Sequence, residues 1–235
     1  MKISIVIPTL NEATHITRTL QTIASQSLAD NLKIELLIAD GGSTDGTTDR
    51  IIEFFEHNDT LLVRMFLSEQ GRAKQMNCVA HFASGDALLF LHADTQLGEN
   101  ALVELAQALE NPSVQFGYFK MKFDSDNPIA DYYAAFTNIN SLLTHYGDSG
   151  IFARRNFFEQ IGKFPEQDFL EDVEFLQRAS RISTPHLIDS AHVITSARRF
   201  EKNGYLWQML TNIGIVGLYK LGASPNWLKE LYRGK

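Results

Sequence analysis

The feature that most constrains this chain is a set of short apolar runs that stop abruptly in polar clusters. Ile3-Ser4-Ile5-Val6-Ile7 runs into Pro8-Thr9-Leu10-Asn11-Glu12, Ile34 to Ala39 into Asp40-Gly41-Gly42-Ser43, and Ala87 to Leu91 into His92-Ala93-Asp94. Leu62 to Leu67 is a fourth such run. Between them lie stretches of helical spacing: Ile16, Leu20, Ile23 and Ala24; then Ile51, Ile52, Phe54 and Phe55; then residues 72–83 and 98–110. Apolar runs with little alternation are strands covered on both faces. Strands that alternate with helices give a parallel sheet with helices on each side. Such sheets bind ligands beyond the carboxyl ends of their strands. The three polar clusters are therefore expected to meet at one edge.

The second half is less regular. Val114 to Phe123 reads as a strand and residues 127–144 as a helix rich in Tyr, Phe and Leu. A glycine-flanked turn, Gly147-Asp148-Ser149-Gly150, precedes a short strand. Glu171 to Ile182 and residues 203–221 read as helices, the latter mostly apolar. No repeat, linker or low-complexity segment interrupts the chain, and 235 residues suffice for one large α/β domain.

Charge narrows the partners. The net charge of −7 gives no support for nucleic-acid binding. From Arg198 onward, however, seven basic residues face two acidic ones, so that segment is +5 and the remainder −12. Such asymmetry points to a C-terminal segment that meets something anionic. Cys78 is the only cysteine, which rules out an internal disulfide and fits a reducing compartment. The apolar run at the start is too short for a signal peptide, and no stretch reaches the roughly 20 apolar residues that span a bilayer. The expectation is a cytoplasmic protein, peripheral on the inner membrane face if its C-terminal segment touches lipid.

Each polar cluster, taken alone, has two readings. Asp40-Gly41-Gly42-Ser43-Thr44-Asp45-Gly46-Thr47 is a strand-to-helix turn. Its glycines admit a ligand close to the backbone, yet taken alone it reads first as a tight turn with Asp45 or Ser43 as N-cap. It lacks the Gly-Lys-Ser/Thr of a Walker loop and the glycine spacing of a dinucleotide fingerprint. His92 and Asp94, two apart after a strand, face one side; a carboxylate there can hold Mg²⁺ or Mn²⁺ together with diphosphate oxygens, or simply close a turn. Arg72, Lys74 and Asn77 open a helix whose first turn suits a phosphate, or is a solvated basic turn. Glu171 and Asp172 start another helix; they serve its dipole, or supply a base beside an acceptor hydroxyl.

Together and in order, these strings resemble glycosyltransferase family 2. The resemblance starts with Ile5-Val6-Ile7-Pro8-Thr9-Leu10-Asn11-Glu12 and the Asp40 turn. It continues through Gly71-Arg72-Ala73-Lys74-Gln75-Met76-Asn77, Leu89-Phe90-Leu91-His92-Ala93-Asp94-Thr95, Gly147-Asp148-Ser149-Gly150-Ile151-Phe152, Phe169-Leu170-Glu171-Asp172-Val173-Glu174-Phe175 and Thr195-Ser196-Ala197-Arg198-Arg199-Phe200. It covers nearly the whole chain and looks like a bacterial branch of the family. It implies a GT-A fold, a Rossmann-like α/β architecture with a mostly parallel central sheet flanked by helices. One domain over 1–235 is implied: residues 1–110 hold a nucleoside-diphosphate sugar, and 111–200 the acceptor and the catalytic base. Residues 201–235 are a helical segment whose apolar, aromatic run from Tyr205 to Leu221, with Lys220 and Lys229 nearby, reads first as a helix packed on the core and otherwise as one that can face a membrane. By matching position, Pro8, Glu12 and Asp40 contact base and ribose. Asp94, with His92, holds Mg²⁺ or Mn²⁺ in a His-Ala-Asp variant of the Asp-x-Asp motif. Asp172 is the general base, beside Glu171. Arg72, Lys74, Asn77, Asp148, Arg198 and Arg199 complete the substrate set. Two departures stand out: Gly41 replaces a second aspartate, and His92 replaces the first aspartate of Asp-x-Asp.

The mechanism this implies is a single inverting displacement, in which a hydroxyl acceptor (lipid-linked or a cell-envelope glycan) attacks a sugar carried by a nucleoside diphosphate, UDP being the expected one. A nucleotidyltransferase of sugar phosphates is one rival; the aspartate turn and Glu171-Asp172 count against it. A non-catalytic sugar-nucleotide-binding protein is another; it has no need of a base at Asp172.

Overall fold

The computed structural model describes residues 1–29, 31–58, 61–137 and 147–233. The first half follows the expected alternation: β1 (Lys2–Thr9), α1 (Ile16–Ala24), β2 (Lys33–Asp40), α2 (Thr47–Glu56), β3 (Leu62–Leu67), α3 (Arg72–Ala80) and β4 (Ala87–Phe90). These four strands are parallel, with β1 between β2 and β4 and β3 outside β2.

Why these strands carry so little polarity is visible in their partners. Ile3, Ile5 and Ile7 of β1 face one core with Ile16, Leu20 and Ile23 of α1 and Ile51 of α2. Val6 faces the other core with Ala73, Met76 and Val79 of α3. Leu36 and Ile38 divide from Leu37 and Ala39 in the same way on β2, as Leu89 divides from Leu88 and Phe90 on β4. Successive side chains point to opposite faces, and here both faces are covered by helices.

The second half contributes β5 (Thr95–Leu97), α4 (Ala101–Ala108), β6 (Phe116–Phe123), α5 (Pro128–Thr137), a 3₁₀ turn at Gly147–Ser149, β7 (Ile151–Arg154), α6 (Arg155–Gln160), α7 (Glu171–Ser180), β8 (His186–Thr195), α8 (Arg198–Asn203), α9 (Tyr205–Lys220) and α10 (Pro225–Arg233). The eight strands make one sheet in the order β3-β2-β1-β4-β7-β6-β8-β5. β7 runs antiparallel to β4 and β6, β8 parallel to β6, and β5 antiparallel to β8. The sheet is thus mostly parallel and flanked by helices, as the resemblance implies. The expected helix over 127–144 begins as α5; residues 138–146 lie outside the described ones.

β8 escaped the sequence pattern. Its alternation breaks at Asp189-Ser190, where the register with β6 shifts between Phe119↔Ile188 and Lys120↔His192. Gly117 allows that pairing: it lies opposite His186, and a Cβ there would land on the His186 carbonyl oxygen. The helix expected over 203–221 is α9, separated from α8 by Gly204. Only Gln208, Ile215 and Val216 of α9 are buried. Ile215 and Val216 join Leu170, Val173 and Leu228 in a third, small core.

Candidate active site

Register explains how distant segments meet. β4 pairs antiparallel with β7 through Phe90↔Ile151, so the residues just after β4 lie against the turn just before β7. His92 Nδ1 and Asp148 Oδ1 are consequently 2.7 Å apart. β5 follows that same segment and pairs antiparallel with β8 through Thr95↔Thr195, which delivers Arg198 to Asp94. Arg198 Nη2 lies 3.1 Å from Asp94 Oδ2 and 2.8 Å from Glu12 Oε1, and Arg198 Nη1 donates to Glu12 Oε2 at 3.0 Å. Glu12 is held in turn by its N–H, which donates to Thr47 Oγ1 at the start of α2. The Thr19 hydroxyl donates to the Ala93 carbonyl and ties α1 to the same turn.

A second charge pair stands where α3 and α7 begin. Arg72 Nη1 is 3.4 Å from Glu171 Oε1, and the two helices share the core of Met76, Phe164 and Phe175. Burial works against the Arg72 charge, but Glu171, Asp148, Asp172 and Asp94 together outweigh it and raise its pKa. Arg72 thus pairs with Glu171 at the start of α7 and lies within electrostatic reach of Asp148 and Asp94. Asp172 Oδ1 accepts the N–H of Val173 at 2.8 Å. The residue before the pair, Leu170, has φ +60°. A non-glycine residue there costs roughly 1–3 kcal/mol and is a common mark of functional sites.

The carboxylates are not equivalent. Burial raises the Glu171 pKa; Arg72 opposes this and the neighbouring Asp172 adds to it, leaving it above the ordinary range. Burial also raises Asp94, with Asp148 and Glu12 adding to it, while His92 and Arg198 pull the other way and lose. Burial pushes Asp148 up too, but the hydrogen bond and charge of His92, with Arg72 and Arg199, overcome it and hold Asp148 well below the usual carboxylate range.

Asp40 sits at the end of β2, opposite Thr9 at the end of β1. Its Oδ1 accepts from the hydroxyls of Thr9 (3.1 Å) and Ser43 (2.5 Å), and its Oδ2 from the N–H groups of Gly42 (3.0 Å) and Ser43 (2.9 Å). The carboxylate thus organises its own loop at the expected edge. The space beside Gly41, where the second aspartate would stand, is tight. A Cβ on Gly41 would stand 3.2 Å from Cδ, Oε1 and Nε2 of Gln75. Gln75 is buried on α3, and its Nε2 donates to the carbonyls of Thr9 and Ala39, both at 2.8 Å, clamping the ends of β1 and β2. Sequence reasoning passed over Gln75, although it lies inside the Gly71-to-Asn77 string.

Four expected residues stand elsewhere. Lys74 pairs with Glu69 at 2.7 Å on the surface. Asn77 spends both ends of its amide on Phe164: Nδ2 donates to the carbonyl at 2.8 Å and Oδ1 accepts the N–H at 3.2 Å. Its role here is to hold the segment before α7, because that segment lacks a ladder of its own. Pro8 is buried within β1. Arg199 donates to the Tyr232 hydroxyl at 2.9 Å and lies over that ring, so of the two arginines only Arg198 reaches Asp94.

Among the described residues, no group of three or more His, Cys, Asp or Glu side chains is disposed to hold a metal ion. His92 gives Nδ1 to Asp148. The donor set still fits a hard divalent cation that brings phosphate oxygens and water with it and takes one or two protein carboxylates. Asp148 and Glu12 add negative charge around the half-buried Asp94, which a cation there would relieve.

The profile of Glycosyl transferase family 2 matches residues 4–162, which spans every element from β1 to α6. The chain belongs to that family. Among its relatives, the glycosyltransferase AglE of Haloferax volcanii is 27% identical over 173 residues, 73% of this chain and 54% of AglE. The UDP-Glc:alpha-D-GlcNAc-diphosphoundecaprenol beta-1,3-glucosyltransferase WfgD of Escherichia coli is 28% identical over 148 residues, 62% of this chain and 56% of WfgD. The chain thus spans about half the length of these relatives. Among solved structures, S. aureus TarS 1–349 superposes with a TM-score of 0.69 at 21% identity, covering 98% of this chain and 69% of TarS 1–349. The mannosyltransferase PcManGT of Pyrobaculum calidifontis, in complex with GDP-Man and Mn²⁺, gives 0.67 at 22% identity, covering 95% and 66%. These neighbours establish the GT-A fold for this family 2 chain.

Proposed function

We propose that this chain is an inverting glycosyltransferase that moves a sugar from a nucleoside-diphosphate sugar to a hydroxyl acceptor. The observation that carries this is the meeting of the Asp94 turn with the Glu171-Asp172 start of α7 around Arg72, at the carboxyl edge of the parallel strands. Family membership supports the reading, as do the UDP-GlcNAc bound to TarS and the GDP-Man and Mn²⁺ bound to PcManGT. UDP is the nucleotide we expect.

Residues 1–110 form the donor side, with Glu12 and Asp40 nearest the nucleoside and Arg72 and Arg198 nearest the diphosphate. Residues 111–200 bring Asp148 and Asp172. A divalent cation, Mg²⁺ or Mn²⁺, held by Asp94 would offset charge on the departing diphosphate. Asp172 accepts the proton of the acceptor hydroxyl as its oxygen bonds to the anomeric carbon. The bond from that carbon to the diphosphate oxygen breaks, and its electron pair leaves with the nucleoside diphosphate. Arg72, fixed by Glu171, and Arg198 are the cations within reach of that leaving charge. Glu171 anchors Arg72 at the start of α7.

WfgD is named for a diphosphoundecaprenol acceptor, and the +5 charge of the segment from Arg198 onward supports a lipid-linked or cell-envelope acceptor at the inner membrane face. A thermal-shift screen of UDP, GDP and their sugars, with and without Mn²⁺, is the direct test. A stabilising shift by one nucleotide sugar that depends on Asp94, followed by its slow hydrolysis with release of nucleoside diphosphate, supports the reading. Release of pyrophosphate from a nucleoside triphosphate instead would assign a nucleotidyltransferase.

A further inference from the structure

α9 carries a bare apolar face. Leu206, Leu210, Ile213 and, just past the helix end, Leu221 follow one another at spacings of four, three and eight, and Trp207 and Leu218 widen the stripe. All six are exposed, Trp207 by 57% and Leu221 by 87% of its surface. A Cβ at Gly214 or Gly217, on the same helix, would meet nothing within 4 Å. Lys220 is the single charged residue in α9. Beside this face, α10 exposes Trp227 and Leu231, and α5, which packs against α9, exposes Tyr132 by 70%. Soluble monomers seldom leave so continuous an apolar surface open. At 16 residues, α9 is too short to cross a bilayer, and no described helix is long and apolar enough to do so.

We infer that this face docks on the surface of an anionic phospholipid bilayer, with α9 lying in the interfacial plane. The inference rests on the proposed function for its purpose, since it supplies the route to a lipid-linked acceptor. Three observations select the bilayer. Charge is the first: the segment from Arg198 onward is +5 while the remainder is −12; Arg198 is held by Glu12 and Asp94 and Lys229 by Asp168, but Lys202 and Lys220 are exposed and favour an anionic surface. At the C-terminal end of α9, a hollow of about 300 Å³ is lined by Gln177, Ser180, Arg181 and Lys220, which brings two cations together there. The second is residue type: two tryptophans and a tyrosine on the exposed side are amphipathic rings suited to the boundary between water and acyl chains. The third is what lies behind the face. Ile215 and Val216 on the inner side of α9 pack on Leu170 and Val173, which bracket Glu171 and Asp172. A docked α9 therefore holds the start of α7 roughly one helix diameter, ~10 Å, above the interface. That is where the first sugar on a membrane-anchored diphosphate stands, whereas a soluble acceptor needs no such surface.

Flotation with vesicles tests this without any donor, so its outcome is separate from that of the proposed chemistry. The full chain should float with vesicles of phosphatidylcholine mixed with phosphatidylglycerol, far less with phosphatidylcholine alone, and less as salt rises. Trp207→Ser with Leu210→Ser, both at exposed positions, should reduce the bound fraction about tenfold or more while leaving the melting temperature and any donor-induced shift unchanged. Lys220→Glu, at an exposed position, should weaken binding to the anionic vesicles alone, by roughly tenfold. Absence of flotation by the unaltered chain, or equal flotation of the double variant, overturns the proposal. So does a concentration-dependent dimer, seen by sedimentation, that the double variant abolishes, because a second copy would then cover the face.

Discussion

Arg198 Nη2 stands 3.1 Å from Asp94 Oδ2 while the same guanidinium spans both oxygens of Glu12. An arginine thus occupies the flank of the carboxylate proposed to hold a cation, and the two positive charges compete for it. Arg198→Ala should strengthen Mn²⁺ binding to the donor-free protein by about tenfold, or ~1.4 kcal/mol. Isothermal titration calorimetry measures this. Unchanged Mn²⁺ affinity in Arg198→Ala, together with unchanged affinity in Asp94→Ala, would remove Asp94 from the cation site.

Asp172 lies in the first turn of α7, next to a Glu171 already committed to Arg72. Asp172→Asn keeps the shape and the hydrogen bond from Val173 but cannot take a proton. Transfer should fall by roughly 10²–10⁴-fold with donor affinity unchanged. A variant that transfers sugar at near the original rate assigns the base elsewhere.

Gly41 and Gln75 form a sterically coupled pair. Gly41→Asp puts a side chain within 3.2 Å of the Gln75 amide, which is itself fixed to Thr9 and Ala39. We expect a loss of about 1–3 kcal/mol. Gln75→Ala alone should also destabilise, since two buried carbonyls lose their donor. The double variant should be more stable than the sum of the two predicts, by at least ~0.5 kcal/mol in a denaturant-based cycle. Strict additivity would show that Gln75 does not set the residue at 41.

At the opposite edge of the sheet, Glu35 is buried in a knot with Lys2, Ser4, Ser84 and Arg64. Burial raises its pKa, but hydrogen bonds from Ser4, Ser84 and Lys2 outweigh it and bring it down from 4.5 to about 2. A carboxyl depressed on folding adds stability in full above its unfolded pKa, here 4.5. That stability is lost as pH falls towards 2, and at neutral pH it is on the order of 3 kcal/mol. Glu35→Gln should therefore cost most at pH 7, and the gap to the unaltered chain should narrow steadily between pH 4.5 and 2. A gap that stays constant across that window would mean that Glu35 is not held ionised by this knot.

Much of this was legible in the sequence because it is local. β1 through β4 are marked by apolar runs that both cores require, and the polar ends of those runs mark the ligand edge. The pairing of Glu171 with Asp172 at a helix start is equally a matter of neighbouring residues. β8 was hidden because its bulge at Asp189-Ser190 breaks the alternation, and the apolar run of α9 pointed first to a packed helix although its outer side is exposed. Lys74 and Asn77 were grouped with Arg72 by proximity in the chain, yet a helix turns successive residues to different sides, so Arg72 meets Glu171, Lys74 meets Glu69 and Asn77 meets Phe164.

The sequence by itself determined the sheet's parallel half, the edge at which polar groups collect, and the family to which the chain belongs. Those depend on side-chain periodicity and local turns, which a linear pattern records. Only the tertiary structure decided that Asp148 answers His92, that Arg198 rather than Arg199 answers Asp94, and that Gln75 fills the space beside Gly41. Each of those pairings spans tens of residues or more and depends on strand register or helix packing. A one-residue slip in either β4–β7 or β5–β8 would have matched different partners.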